Sequence, residues 1–215
     1  MTLVEHDLRL HGYRIGKCGT SLDTSIFRTL AASSQHLETL TAASSGNIVY
    51  YQEACRYWVK ACKGLPFFRR NGQPVTPPHG RTICFASNQE SCFATCLLNS
   101  TLFYRFYSGF SDCEHVNDAL IRDFRVPASW DKEDWSALEQ KLANSLKQHS
   151  QRKVINTKQG HEIEYDELNG SQSKSVIDDI DVALARHYGF TEEQLDFIIN
   201  YDIKYRLGDS GVEDE

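Results

Sequence analysis

Proline is scarce in this chain of 215 residues, and four of its five prolines crowd into one stretch, Pro66, Pro74, Pro77 and Pro78. Proline fixes φ and cannot donate a backbone hydrogen bond, so residues 64–80 are expected to form a loop with little regular structure. No apolar run approaches the roughly 18 residues of a membrane-spanning helix. The opening Met1 to Asp7 lacks the layout of a signal peptide, and a cytoplasmic chain with no membrane partner is expected. The seven cysteines contain no Cys-x-x-Cys pair and are odd in number, which argues against a disulfide framework and for reduced, metal-free thiols.

Several catalytic signatures are also missing. There is no Gly-x-Ser-x-Gly elbow and no His-Glu-x-x-His zinc motif. Gly12 to Thr20 has the look of a phosphate loop, but only three residues separate Gly12 from Gly16-Lys17, and Cys18 stands where Ser or Thr is needed. Cys92, Cys96, Cys113 and His115 invite a zinc reading, yet Cys92 and Cys96 fall on an apolar helix face where small thiols pack well. Glu139-Gln140-Lys141, with Asp131 and Asp134 upstream, matches half of a metal-dependent nuclease signature, although helix periodicity accounts for the same polar face. Asp178, Asp179 and Asp181 likewise read as a solvated helix face. Read from its residues alone, the chain offers no convincing active site, and no catalytic, cofactor-binding or metal residue is assigned.

What is present is an ordinary globular composition, 40% apolar, 24% charged and 11% aromatic, with a net charge of −6. Its distribution is uneven. Residues 1–110 carry 11 Lys/Arg against 6 Asp/Glu, whereas residues 111–215 carry 12 against 23. If the chain meets nucleic acid, the first half should make the contact.

Periodicity predicts a helix from Ser21 to about Ser44 that Ser33-Ser34 interrupts, strands at 48–51, 56–59 and 82–86, and a helix from the Ser87/Glu90 capping box to about Tyr107. Further helices are expected at 115–124, 129–149, 175–188 (stopped by Gly189) and from Thr191 onward. Residues 150–160 read as a polar connector, and His161 to Tyr165 as a short strand or extended arm. These elements describe an α/β or α+β fold, a small mixed sheet with packed helices followed by a mainly helical C-terminal region. The divisions expected are residues 1–127, 128–208 and a loose acidic tail at 209–215.

The strongest compositional signal is aromatic residues interleaved with cations: Tyr50, Tyr51, Arg56, Tyr57, Trp58, Lys60, Lys63, Arg69, Arg70 and Arg81. Cations can hold phosphates or fork onto a guanine edge, and aromatic rings can stack on bases. A packed strand pair with solvated cations would give the same composition.

Two stretches carry a family resemblance. Leu98-Asn99-Ser100-Thr101-Leu102-Phe103-Tyr104-Arg105-Phe106-Tyr107, followed by Ser111-Asp112-Cys113-Glu114-His115-Val116-Asn117, resembles the target-recognition region of adenine-N6 DNA methyltransferases of restriction-modification systems, especially the fused Eco57I-like kind. The run from Ser173 to Asp181 and the run from His187 through Gly208, with Phe190-Thr191-Glu192-Glu193-Gln194-Leu195 and Asn200-Tyr201-Asp202-Ile203-Lys204-Tyr205-Arg206, resemble the C-terminal end of those enzymes. The resemblance implies a DNA-recognition portion that positions double-stranded DNA for a methylase domain or subunit. That separate domain would supply the S-adenosylmethionine site and an Asn-Pro-Pro-Tyr-type motif. The chain contains no Asn-Pro dipeptide, so it is expected neither to hold a cofactor nor to transfer a methyl group alone. The resemblance also implies that Asn99, Ser100, Asp112, His115 and Asn117 serve mainly in folding. The alternatives are a non-catalytic protein-interaction scaffold and a divergent metal-dependent nuclease using Glu139 and Lys141.

Overall fold

The computed structural model describes residues 16–55 and 57–206. Helix α1 (Ser21–Ala32) begins at a reciprocal capping box between Thr20 and Asp23 and buries Ile26, Phe27 and Leu30 along one face. It stops at Ser33, which is extended. The helical pattern predicted beyond that point resolves into a two-residue strand, β1 (Gln35–His36), and a 3-10 turn, Leu37–Leu40, that buries Leu37 and Leu40.

Strand β2 (Asn47–Gln52) lies between β3 (Ala61–Lys63) and β6 (Gly80–Phe85) in an antiparallel sheet. The strand expected at 56–59 begins later, because Ala61 and Cys62 are the residues in register with Tyr51 and Tyr50. Arg56 lies outside the described residues. A second antiparallel sheet joins β4 (Phe68–Arg70) and β5 (Gln73–Pro74) to a hairpin of β8 (Gln151–Asn156) and β9 (Glu162–Glu167), in the order β5-β4-β9-β8. The stretch 64–80 is therefore not all loop, and the connector at 150–160 is largely strand. Pro74 sits on the edge, where a missing donor costs least.

The single helix expected from residue 88 to 107 is two helices, α2 (Asn88–Asn99) and α3 (Thr101–Phe110). Ser100 breaks it: its backbone is extended, its hydroxyl donates to the Leu97 carbonyl at 2.6 Å, and it accepts the Phe103 amide at 3.0 Å. The freed amides of Thr101 and Leu102 both donate to the buried carboxylate of Asp181 at 3.1 Å. Helix α4 (Asp118–Asp123) leads into β7 (Arg125–Val126), which pairs with β1. A 3-10 turn, Trp130–Lys132, leads into α5 (Trp135–Gln148). Helix α6 (Lys174–Tyr188) ends on left-handed Gly189, φ 68°, a conformation that costs glycine nothing. Helices α7 (Glu192–Asn200) and α8 (Ile203–Arg206) close the described chain.

The architecture is α+β. One apolar core runs through it, from Phe27 and Tyr51 through Phe93 and Phe103 to Trp135 and Ile180, so residues on both sides of position 127 share it. Each such large side chain contributes roughly 1.5–3 kcal/mol by leaving water. Among the described residues, no helix is long and apolar enough to cross a membrane.

Candidate nucleic-acid interface

Successive residues of a strand point to opposite faces, and β2 uses this to separate Tyr50 from Tyr51. Val49 and Tyr51 turn into the core and are fully buried, and the Tyr51 hydroxyl donates to Asp118. Tyr50 and Gln52 turn the other way. They form one wall of a cleft of about 540 Å³ between the two larger sheets, with Lys60 and Cys62 beside them. Tyr50 itself is 7% exposed and lies flat against Gly80, where an added Cβ would come within 2.1 Å of its hydroxyl.

The opposite wall is the second sheet. Register places Phe68 opposite Tyr165 and Arg70 opposite Ile163, and these four side chains, joined by Ile155 of β8, face the cleft. The Phe68 and Tyr165 rings are stacked at 6.3 Å. The acidic half of the chain thus supplies part of this wall, which the charge distribution of the sequence does not suggest.

The cations divide into engaged and unengaged groups. Arg81 is paired with Glu53 at 2.6 Å. Lys63 donates to Asn88 at 2.6 Å and lies 3.5 Å from the Cys92 sulfur. Arg69 approaches Glu164 at 3.9 Å and stands over the Phe67 ring, whose centroid is also 3.6 Å from the Arg152 guanidinium. Arg152 in turn holds Glu164 and Asp166. Among the described residues, Lys60 and Arg70 find no ion-pair or side-chain hydrogen-bond partner, and both line the cleft from facing sheets.

The remaining aromatic candidates serve other contacts. Tyr57 is exposed and stacks on Tyr205 at 5.7 Å, while its carbonyl accepts Arg206 Nε at 3.0 Å. Trp58 is half-buried against Gly170, with no room for a Cβ there, and its indole N–H has no partner among the described residues. Of the ten candidates, Tyr50, Lys60 and Arg70 are brought together in the cleft. Tyr51 is removed from any surface, and Tyr57 and Trp58 lie on a different patch beside α8.

The five motif residues hold turns. Asn99 is fully buried and donates to the carbonyls of Ala61 (2.9 Å) and Thr95 (2.8 Å), tying α2 to β3. Asp112 accepts the amides of Glu114 and His115, which lower its carboxyl below the usual range. The exposed His115 forms a backbone bridge with Ala54, and Asn117 caps α4 by accepting the Leu120 amide at 2.9 Å.

Other sequence candidates do not converge. Among the described residues, no group of three or more His, Cys, Asp or Glu could hold a metal ion. Cys92 and Cys96 are buried in α2, whereas Cys113 is exposed beyond α3. Burial pushes the Cys55 and Cys62 thiols up to about 12. Burial also raises the Glu139 carboxyl, an effect that Lys63 partly offsets, and Lys141 is paired with Asp179. Asp134 is occupied as the α5 cap.

Comparison with family models, curated proteins and solved structures finds no match to this chain. Its function must be argued from the cleft. Sequence reasoning found three of the cleft residues and missed Gln52, Phe68 and Tyr165. The alternation of β2 was a usable signal for Gln52. The pairing of β4 with β9, some 90 residues away, left none for the other two.

Proposed function

We propose that this chain is the DNA-recognition portion of an adenine-N6 restriction-modification methyltransferase, binding DNA through the cleft and positioning it for a separate methylase domain. The observation that carries the reading is the pair of unengaged cations, Lys60 and Arg70, on facing walls of one aromatic cleft. Unpaired cations beside stacked rings suit a phosphate-bearing chain of bases. Arg69 alternates with Arg70 and Arg81 is in register with Tyr51, so both point away from the cleft, where they are paired with Glu164 and Glu53.

On this reading S-adenosylmethionine is held elsewhere, and the start of α2 supports that. The connection from β6 into α2 is Ala86-Ser87-Asn88, without glycine, and Glu90 already occupies the helix start by accepting the Ser87 amide at 2.6 Å. A methyl-donor site belongs, on this reading, to the separate methylase domain, and methyl transfer is not a property of this chain.

The test is fluorescence anisotropy of a labelled duplex across a salt series. Wild-type chain should bind with an affinity that falls as salt rises. The Lys60→Ala/Arg70→Ala double variant should bind more weakly, with its log–log salt slope reduced by about two units. Reversing Lys141 to Glu, on α5 and outside the lining of the cleft, should change neither. Unchanged slope in the double variant would remove the reading.

The apolar character of the cleft favours the scaffold reading in one respect, since Ile155 of the β8 edge, which lines it, is 48% exposed. Unpaired cations inside an apolar partner groove would be costly, and that weighs for DNA.

A further inference from the structure

We infer that the cleft takes one unstacked nucleotide of a DNA strand, with the base between Tyr50 and the Phe68–Tyr165 wall and the adjoining phosphates on Lys60 and Arg70. The inference rests on the DNA-binding reading above and names what enters the site.

Size excludes a duplex from the interior. A cleft of about 540 Å³ is on the scale of small-molecule sites, so a double helix meets only its rim. A single planar group with its charge at one side fits the space, and the lining matches that description. The two tyrosines and Phe68 offer ring surface on both walls, which any base can use because every base has a π-face. Gln52 and Thr157 add amide and hydroxyl groups that can meet a base edge.

Electrostatics point the same way. Two carboxylates, Asp166 and Glu167, also line the cleft, and alone they would repel phosphate. Each is already neutralised on the second sheet: Asp166 by Arg152, and Glu167 by Lys153 at 3.4 Å. Lys60 and Arg70 are left as the uncompensated charges, and an anionic occupant completes them.

The shape is also set in advance. Gly80 lets the Tyr50 ring lie against the backbone of β6, so the wall is flat rather than filled. Ion pairs between β8 and β9 tie the two strands of the opposite wall together.

Two labelled duplexes of one sequence test this, identical except that one carries a single extra, unpaired nucleotide at mid-strand. Anisotropy at fixed salt should show the wild-type chain binding the bulged duplex about tenfold tighter, the scale of one base–aromatic stack. Tyr165→Ala should bring the ratio close to one. Gln52→Trp, which fills the cleft instead of emptying it, should do the same and guards against a variant that fails to fold. Equal wild-type affinity for both duplexes would overturn the inference while leaving the DNA-binding reading standing. A preference that survives both variants would overturn it too. Failure to bind either duplex would remove the underlying reading and the inference with it.

Discussion

Asp23 and Arg105, 82 residues apart, meet in a 2.6 Å ion pair with side chains 4% and 3% exposed. The same Asp23 carboxylate accepts the Gly19 and Thr20 amides at 2.9 Å, and the Arg105 guanidinium also donates to the Lys17 carbonyl and lies over the Phe27 and Tyr201 rings. One pair thus joins the start of α1, the middle of α3 and the end of α7. Asp23→Asn leaves the arginine charge buried without its counter-ion, and urea titration should show a loss of about 3–5 kcal/mol. Burial pushes the Asp23 carboxyl up, but the hydrogen bond and charge of Arg105 and the amide donors outweigh it and hold the group below its ordinary value. Its stabilisation is therefore complete above the ordinary carboxylate range and is lost as pH falls through the lower, folded value.

Asp181 has the opposite sign. It is fully enclosed, and desolvation raises its carboxyl to about 6 despite the Thr101 and Leu102 amides and the nearby Arg206. The folded state then binds a proton that the unfolded state has released. Stability from this group falls as pH rises from about 4 to about 6, by up to about 1.4 kcal/mol per unit, and is constant above. Asp181→Asn should flatten that interval in urea midpoints measured from pH 4 to 7. An unchanged slope would show that the carboxyl is ionised throughout.

Local signals were legible in the sequence, and pairings over long distances were not. The Ser87/Glu90 box, the Thr191 start and the Gly189 stop all act within one helical turn, and each stands where the sequence places it. Ser100 was harder, because apolar periodicity continues through it from Phe93 to Phe106. The break depends on Asp181, 80 residues away, accepting the amides released there. Strands β4 and β8 were missed for the same reason, since neither alternates strongly and each is fixed by β9. In the cleft, composition marked Tyr50, Lys60 and Arg70, but it could not separate them from Tyr51, Arg69 and Arg81. That separation is made by strand facing and by which carboxylates lie within reach.

Tyr51→Phe separates the fold from the cleft. The buried hydroxyl donates to Asp118, and burial together with that carboxylate pushes the phenol well above its ordinary range. Its removal should cost about 1 kcal/mol, a fall of roughly 2–4 °C in the thermal midpoint. Duplex affinity by anisotropy should be unchanged, because the side chain points away from the cleft. A large loss of affinity in a folded variant would return Tyr51 to the interface.

Gly80→Ala should have the reverse pattern. The new methyl would stand 2.1 Å from the Tyr50 hydroxyl and 2.3 Å from two ring carbons, so the ring must leave the face of β6. The cleft is the open side, and the displaced ring would swing into the space between the sheets. Overpacking of this kind costs typically about 1–3 kcal/mol, less where the displaced group can reach solvent, so the melting curve should shift modestly. Occupancy of the cleft should suffer more, with weaker binding of the bulged duplex and a bulged-to-paired ratio approaching one. Tyr50→Ala in the same background removes the clash without restoring the ratio, because the ring that forms this wall is then gone. A restored ratio would mean that Tyr50 only obstructs the cleft and that the base meets the Phe68–Tyr165 wall alone.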